Sequence, residues 1–312
     1  MEQKRIIFLG TPAFAVASLQ ALVEGGLQVV AVVTMPDKPA GRGQKLQESP
    51  VKQYAVSKGI PVLQPEKLKN PAFLAELASY RADLQVVVAF RMLPEAVWNM
   101  PPLGTYNLHA SLLPQYRGAA PINWAIINGE HQTGITTFKL KHEIDTGDVV
   151  HQQVVDILPD MDAGQLHDLL MALGADLVVR TVREVFNGTV SYIPQNAPHT
   201  ALKLAPKIFK DHCRIQWHKE GTALVQLVKG LSPYPGAWAL ANNQVLKIFK
   251  AKFKHERHFV PVGQSRWQDG SWQVAVSDGW LHLLEVQLEG KKRMLAADLL
   301  RGNAALADLC LQ

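Results

Sequence analysis

The first two hundred residues alternate between short apolar runs and helix-like stretches, and this alternation restricts the fold more than any other feature. Arg5 to Leu9 is an apolar run that ends in the turn Gly10-Thr11-Pro12. Phe14 to Leu22 follows with an apolar stripe at helical spacing, stopped by Gly25-Gly26. Further strand-like runs stand at Gln28 to Thr34, Ile60 to Leu63, Asp83 to Phe90 and Thr105 to His109, with helical patterns near 50–58 and 70–79 between them. Strands that are apolar on both faces belong in a parallel sheet covered by helices on either side. Ile135 to Leu140 and Val149 to Ile157 read as an antiparallel addition, and Gly164 to Phe186 as a long helix closed by Asn187-Gly188. Ligands of such sheets sit beyond the carboxyl ends of the strands. The polar residues ending the fifth run are therefore the first place to look for chemistry.

The character changes after residue 190. Pro194, Pro198 and Pro206 punctuate a stretch without periodicity, read as a linker over 191–206. Beyond it, short alternating segments appear at Leu246 to Phe253, Gln273 to Val276 and Trp280 to Val286. Turn signals such as Asp269-Gly270, Asp278-Gly279 and Glu289-Gly290 separate them. These predict a smaller β-barrel domain over 207–312, OB-like, with one helix at 221–230. The first domain is expected over 1–190. At 47% apolar and 19% charged residues, both should be packed and globular.

Charge divides unevenly between these parts. Residues 203–312 hold 16 Lys and Arg against 9 Asp and Glu, a net of +7, while the whole chain carries +5. A basic second half predicts an anionic partner there. The two cysteines, Cys213 and Cys310, suggest neither a disulfide framework nor a metal site. The chain opens without a basic-then-apolar leader, and runs such as Val86 to Phe90 are too short to span a bilayer. A soluble cytoplasmic protein with no membrane partner is expected.

Asn107-Leu108-His109 carries the chemistry. Residues two apart on a strand face the same side, so an amide and an imidazole would converge on one spot. The later turn Asp145-Thr146-Gly147-Asp148 offers carboxylates to orient or charge the imidazole. Donors for an oxyanion beside an acid–base pair suit acyl transfer without a covalent nucleophile. Either aspartate fits, because Asp-Thr-Gly-Asp is also good turn chemistry.

Asn107-Leu108-His109, the run Ser111-Leu112-Leu113-Pro114 and a later Asp, in that order, resemble the folate-dependent formyltransferases. The resemblance implies a Rossmann-like formyltransferase fold for the first domain, with 10-formyltetrahydrofolate as formyl donor and no metal. It points to Asp145 rather than Asp148, and places Ser111, Leu112, Leu113 and Pro114 along the folate pocket. Phe90 and Met92 would form another wall. Between them Arg91 replaces the small residues of the commoner family form, and either solvent or the glutamate tail of the folate is a place for it.

A second resemblance narrows the first. Pro36-Asp37-Lys38-Pro39-Ala40-Gly41-Arg42-Gly43 stands where the methionyl-tRNA formyltransferases carry a loop that reaches the tRNA acceptor end. Ser232-Pro233-Tyr234-Pro235-Gly236-Ala237-Trp238 and Lys207 extend the similarity into the second half. By that resemblance Arg42, Lys38, Lys45 and Lys207 contact tRNA, and the partner is charged initiator tRNA, met by a monomer. Three alternatives compete. A small-molecule formyltransferase would need neither the Arg42 loop nor a basic second domain. A hydrolase releasing formate would turn the same groups on water. An RNA-binding module with a decayed site would not need the full triad. Gly10-Thr11-Pro12 lacks the Gly-x-Gly-x-x-Gly spacing of a dinucleotide site.

Overall fold

The computed structural model describes residues 3–40, 45–195 and 201–312, with Ala40 and Lys45 described by their backbone alone. The chain divides into two compact units. One comprises Met1–Gly118, Gly134–Val155 and His167–Leu204, the other Ala119–Thr133, Asp156–Leu166 and Ala205–Gln312.

In chain order the elements up to residue 187 are β1 (Arg5–Gly10), α1 (Ala13–Glu24), β2 (Gln28–Val33), β3 (Lys38–Ala40), β4 (Lys45–Gln47), α2 (Pro50–Ser57), β5 (Val62–Leu63), α3 (Pro71–Ser79), β6 (Leu84–Val88), α4 (Glu95–Trp98), β7 (Thr105–His109), β8 (Arg117–Gly118), α5 (Pro121–Ile127), β9 (Gln132–Lys139), β10 (Val149–Asp156) and α6 (Ala163–Asn187). The main sheet runs β10-β9-β7-β6-β1-β2-β5. Strands β7, β6, β1, β2 and β5 are parallel, and β9 lies antiparallel on β7. The order reverses between β1 and β6, the switch point at which such sheets open a crevice.

Both faces of the sheet are covered, as the continuous apolar runs require. Ile6, Ile7, Phe8 and Leu9 are all buried, so alternate residues of β1 serve opposite layers. Ile7, Leu9 and Val87 pack on one face with Phe73 and Leu77 of α3 and Val97 of α4. On the other face Leu108 approaches the backbone of α6 so closely that a Cβ on Gly174 would meet its side chain at 2.6 Å. Helix starts follow from capping chemistry. The Ser49 hydroxyl accepts the N–H of Lys52, the Asn70 carboxamide oxygen that of Ala72, and a proline stands at the first helical position after each.

Three local features differ from the sequence expectation. The fourth strand stops at Val88 instead of Phe90, because Ala89 turns the chain at φ +48°. The polar stretch after β2 contains a two-stranded pairing, Lys38 opposite Gln47 and Ala40 opposite Lys45. Pro121 opens helix α5, in a stretch for which no element was predicted.

The second unit adds β11 (Leu204–Ala205), α7 (Gly221–Gly230), β12 (Ala237–Ala241), β13 (Gln244–His255), β14 (Ser265–Gln268), β15 (Ser271–Val276), β16 (Gly279–Leu288), β17 (Met294–Leu295) and α8 (Ala296–Arg301). Its sheet is antiparallel, in the order β12-β13-β16-β15-β14, with β17 on β16. Trp272, Val274, Leu281, Leu283 and Ile248 form its core with Leu224 and Val228 of α7. Among the described residues no helix is long and apolar enough to cross a membrane.

Candidate active site

β7 brings Asn107 and His109 to one face at its carboxyl end. Asn107 lies beside Val87 of β6 and opposite Phe138 of β9, and His109 opposite Thr136. The Asn107 carboxamide is half-buried and makes no hydrogen bond among the described residues. A half-buried amide held on a rigid strand with its N–H groups uncommitted is suited to receive a ligand oxygen. It sits at the margin of an apolar layer that Phe90 and Leu140 also join.

His109 is 6% exposed. Its Nε2 lies 2.9 Å from the carbonyl oxygen of Tyr116. A carbonyl only accepts, so Nε2 carries the proton and the ring is fixed by that bond. Nδ1 then faces Asp145, whose Oδ2 stands 3.9 Å away. That is too long for a hydrogen bond and close enough for a charge to be felt, with both side chains largely shielded from water. The sequence reading gave Asp145 the task of orienting or charging the imidazole. The orienting bond comes from the Tyr116 backbone.

Asp145 is itself positioned by backbone. It adopts φ +55°, and its Oδ2 accepts the N–H of Gly118 at 3.0 Å. Gly147 keeps the turn closed against β9, since a Cβ there would lie 1.7 Å from the carbonyl oxygen of Lys139. Asp148 serves elsewhere, in a 2.7 Å ion pair with Lys141. Geometry thus brings Asn107, His109 and Asp145 together and leaves Asp148 outside.

Ser111 to Pro114 braces the end of β7 against β9 and β10. Thr136 Oγ1 donates to the Ser111 carbonyl and accepts the Leu113 N–H. Gln115 N–H donates to the Leu112 carbonyl, and Gln152 Nε2 to that of Leu113 at 2.7 Å. Leu113 is buried, and Leu112 leans over Gly134. The Ser111, Leu112 and Leu113 carbonyls and the Leu113 N–H thus have protein partners. Phe90 is half-buried, and Met92 is 74% exposed. Arg91 is half-buried rather than turned to open solvent. Its Nη1 donates to the Glu66 carbonyl at 2.9 Å and its Nη2 to that of Pro65. Burial lowers its pKa.

Of the expected tRNA contacts, Arg42 and the side chain of Lys45 lie outside the described residues. Lys38 is exposed on β3. The base of that pairing is fastened by Asp37, which forms an ion pair with Lys52 and accepts from Gln64 Nε2 at 2.7 Å. The Lys52 ammonium, and then Gln64, hold the Asp37 carboxyl below its ordinary range. Lys207 is exposed, its Nζ 5.4 Å from the centre of the Phe209 ring. Lys210 and Arg214 both lie 5.5 Å from the centre of the Trp238 ring. Phe209, at 58% exposed, is in no motif of the sequence, and Trp238 enters there only as the end of the Ser232 to Trp238 run; aromatic residues within a basic stretch were the available signal. Among the described residues no group of three or more His, Cys, Asp or Glu side chains is placed to hold a metal ion.

Comparison with known proteins agrees along the whole chain. Residues 4–182 match the family described as formyl transferase, and residues 207–304 its C-terminal domain. A methionyl-tRNA formyltransferase of Parabacteroides distasonis is 55% identical over 317 residues, covering 98% of each chain. One of Flavobacterium johnsoniae is 49% identical, covering 97% of each. Among solved structures, the sugar 3N-formyl transferase WlaRD, studied with dTDP and 5-N-formyl-THF, superposes with a TM-score of 0.66 at 18% identity, over 94% of this chain and all of that one. HypX from Aquifex aeolicus, in complex with tetrahydrofolic acid, gives 0.64 at 19% identity over 96% of this chain and 47% of its own.

Proposed function

Because the chain belongs to the methionyl-tRNA formyltransferases of the formyl transferase family, we propose that its β7 site carries out that family's reaction. It transfers the formyl group of 10-formyltetrahydrofolate to the amino group of methionyl initiator tRNA. The products are N-formylmethionyl-tRNA and tetrahydrofolate.

The observation that carries this reading is the convergence of an uncommitted amide, a fixed imidazole and a shielded carboxylate at the end of one strand. The methionyl amine attacks the formyl carbon, forming a C–N bond and an oxyanion. The Asn107 amide donates to that oxygen, joined by His109 through Nδ1–H when the ring is cationic. Nε2 is already spent on Tyr116, so Nδ1 is the only imidazole atom available to substrate. Asp145 stands across from Nδ1 at 3.9 Å. It receives the proton that the amine loses, relayed by water. Collapse of the intermediate breaks the bond from the formyl carbon to the folate nitrogen, which leaves with a proton. Phe90 and Met92 supply apolar contact to the donor, and Ser111 to Pro114 shape the pocket from behind.

We assign transfer to residues 1–190 and tRNA binding to 207–312, joined by 191–206. The +7 excess over 203–312 supports this division. Lys207, with Lys38, Arg42 and Lys45, meets the tRNA. Asn107, His109 and Asp145 come from one chain, which supports a monomer, acting in the cytoplasm where charged tRNA is used.

Labelled formyl transfer from 10-formyltetrahydrofolate, with charged initiator tRNA and glycinamide ribonucleotide offered in parallel, tests the reading. Label on the tRNA alone is expected. Label on the ribonucleotide, or release as formate without an acceptor, would overturn it.

A further inference from the structure

Gln195 lies in the stretch that reads as a linker, yet its carboxamide is used completely at the active site. Nε2 donates to the Asp145 carbonyl at 3.0 Å and to the Gly147 carbonyl at 2.7 Å. Oε1 accepts from Arg117 Nη2 at 2.7 Å and from Nε at 3.3 Å. The two carbonyls flank the turn that presents the Asp145 carboxylate. Arg117 directly precedes Gly118, whose N–H binds that same carboxylate. One side chain therefore ties together both segments that fix Asp145. Two residues upstream, Ile193 exchanges backbone hydrogen bonds with Val149 at 2.9 and 2.8 Å, which anchors the stretch to the start of β10.

We propose that Gln195 is a positioning residue for formyl transfer, acting through Asp145. The inference rests on the reading of Asp145 as part of the site. A left-handed backbone at a residue with a side chain persists where its surroundings enforce it. Here the enforcement is the pair of N–H donors of Gln195, and a carboxamide is the side chain that offers two donors and an acceptor in one plane. Displacing the Asp145 carboxylate relative to His109 Nδ1 would impair the transfer step more than the binding of either substrate.

Gln195→Glu isolates this role. The substitution keeps the side-chain size and meets Arg117 with stronger, charge-assisted bonds. It faces the Asp145 and Gly147 carbonyls with acceptors only. The expected result is a single-turnover transfer rate lower by on the order of tenfold to a hundredfold. The KM for 10-formyltetrahydrofolate and the thermal midpoint should stay close to wild type. Gln195→Ala should lower the rate similarly. In an Asp145→Asn background neither substitution should add a comparable loss, because both act through the same carboxylate. A wild-type rate in Gln195→Glu, or a loss fully additive with Asp145→Asn, would overturn the inference. A wild-type rate in Asp145→Asn alone would overturn the site reading, and the inference with it.

Discussion

The carboxylate of Asp145 stands 3.9 Å from Nδ1 of His109, and neither side chain holds the other by a hydrogen bond. Each is fixed by main chain instead, His109 by the Tyr116 carbonyl and Asp145 by the Gly118 amide. The spacing leaves Nδ1 free to meet a reacting oxygen. A direct bond between the two would have tied up the only imidazole nitrogen left for substrate.

This arrangement ranks the two aspartates of the turn. Asp145→Asn should reduce turnover by roughly a hundredfold or more while the fold is retained. Asp148→Asn removes a surface ion pair to Lys141 and should change stability by no more than about 1 kcal/mol, with activity close to wild type. Steady-state rates and thermal midpoints of both variants check this, and the reverse ranking would mean the wrong carboxylate was chosen.

Gly147 gives a steric test of the same turn. Its missing Cβ would overlap the carbonyl oxygen of Lys139 at 1.7 Å, a backbone atom that cannot rotate away. Gly147→Ala should cost roughly 1–3 kcal/mol of stability and lower activity with it. At Gly302 the nearest atom to an added Cβ is 4.0 Å away, so Gly302→Ala should be nearly neutral. Denaturant titration of the two variants compares them directly.

The basic excess of residues 203–312 predicts salt-dependent tRNA binding. Each phosphate contact removed should flatten the plot of log affinity against log salt by about 0.7–0.9. Lys207→Ala should show one such step, and binding of the folate should be spared. A slope unchanged from wild type would remove Lys207 from the tRNA surface.

Stability should respond to acid partly through Glu184. Arg180, and then His151, hold its carboxyl below the ordinary value of 4.5. A depressed carboxylate pKa contributes stability that is complete above 4.5 and lost as pH falls through the folded-state value. The side chain is 27% exposed, so the contribution should stay under about 1 kcal/mol. Glu184→Gln should therefore unfold at a lower temperature than wild type at neutral pH, with the gap narrowing near pH 3. A gap that widens on acidification would contradict this sign.

What the sequence disclosed follows local physics. Period-two geometry placed Asn107 and His109 on one face, and helical patterns marked the stretches near 50–58 and 70–79. Asp145 needed the family resemblance, because only the folded chain brings its turn to β7. Tyr116 and Gly118 act through main-chain atoms, which leave no mark in residue identity. Gln195 stood in a stretch without periodicity, where composition reads as connection. Arg91 turned to the Pro65 and Glu66 carbonyls, partners whose position depends on a loop that no local pattern fixes.

In the mechanism proposed, Asn107 and His109 stabilise the oxyanion of direct formyl transfer. Single-turnover transfer to charged initiator tRNA, with saturating 10-formyltetrahydrofolate, measures that step for wild type, Asn107→Ala and His109→Ala. A rate constant lower by about a hundredfold or more is expected in each variant, with folate affinity little changed. A His109→Ala enzyme that transfers at close to the wild-type rate would contradict it.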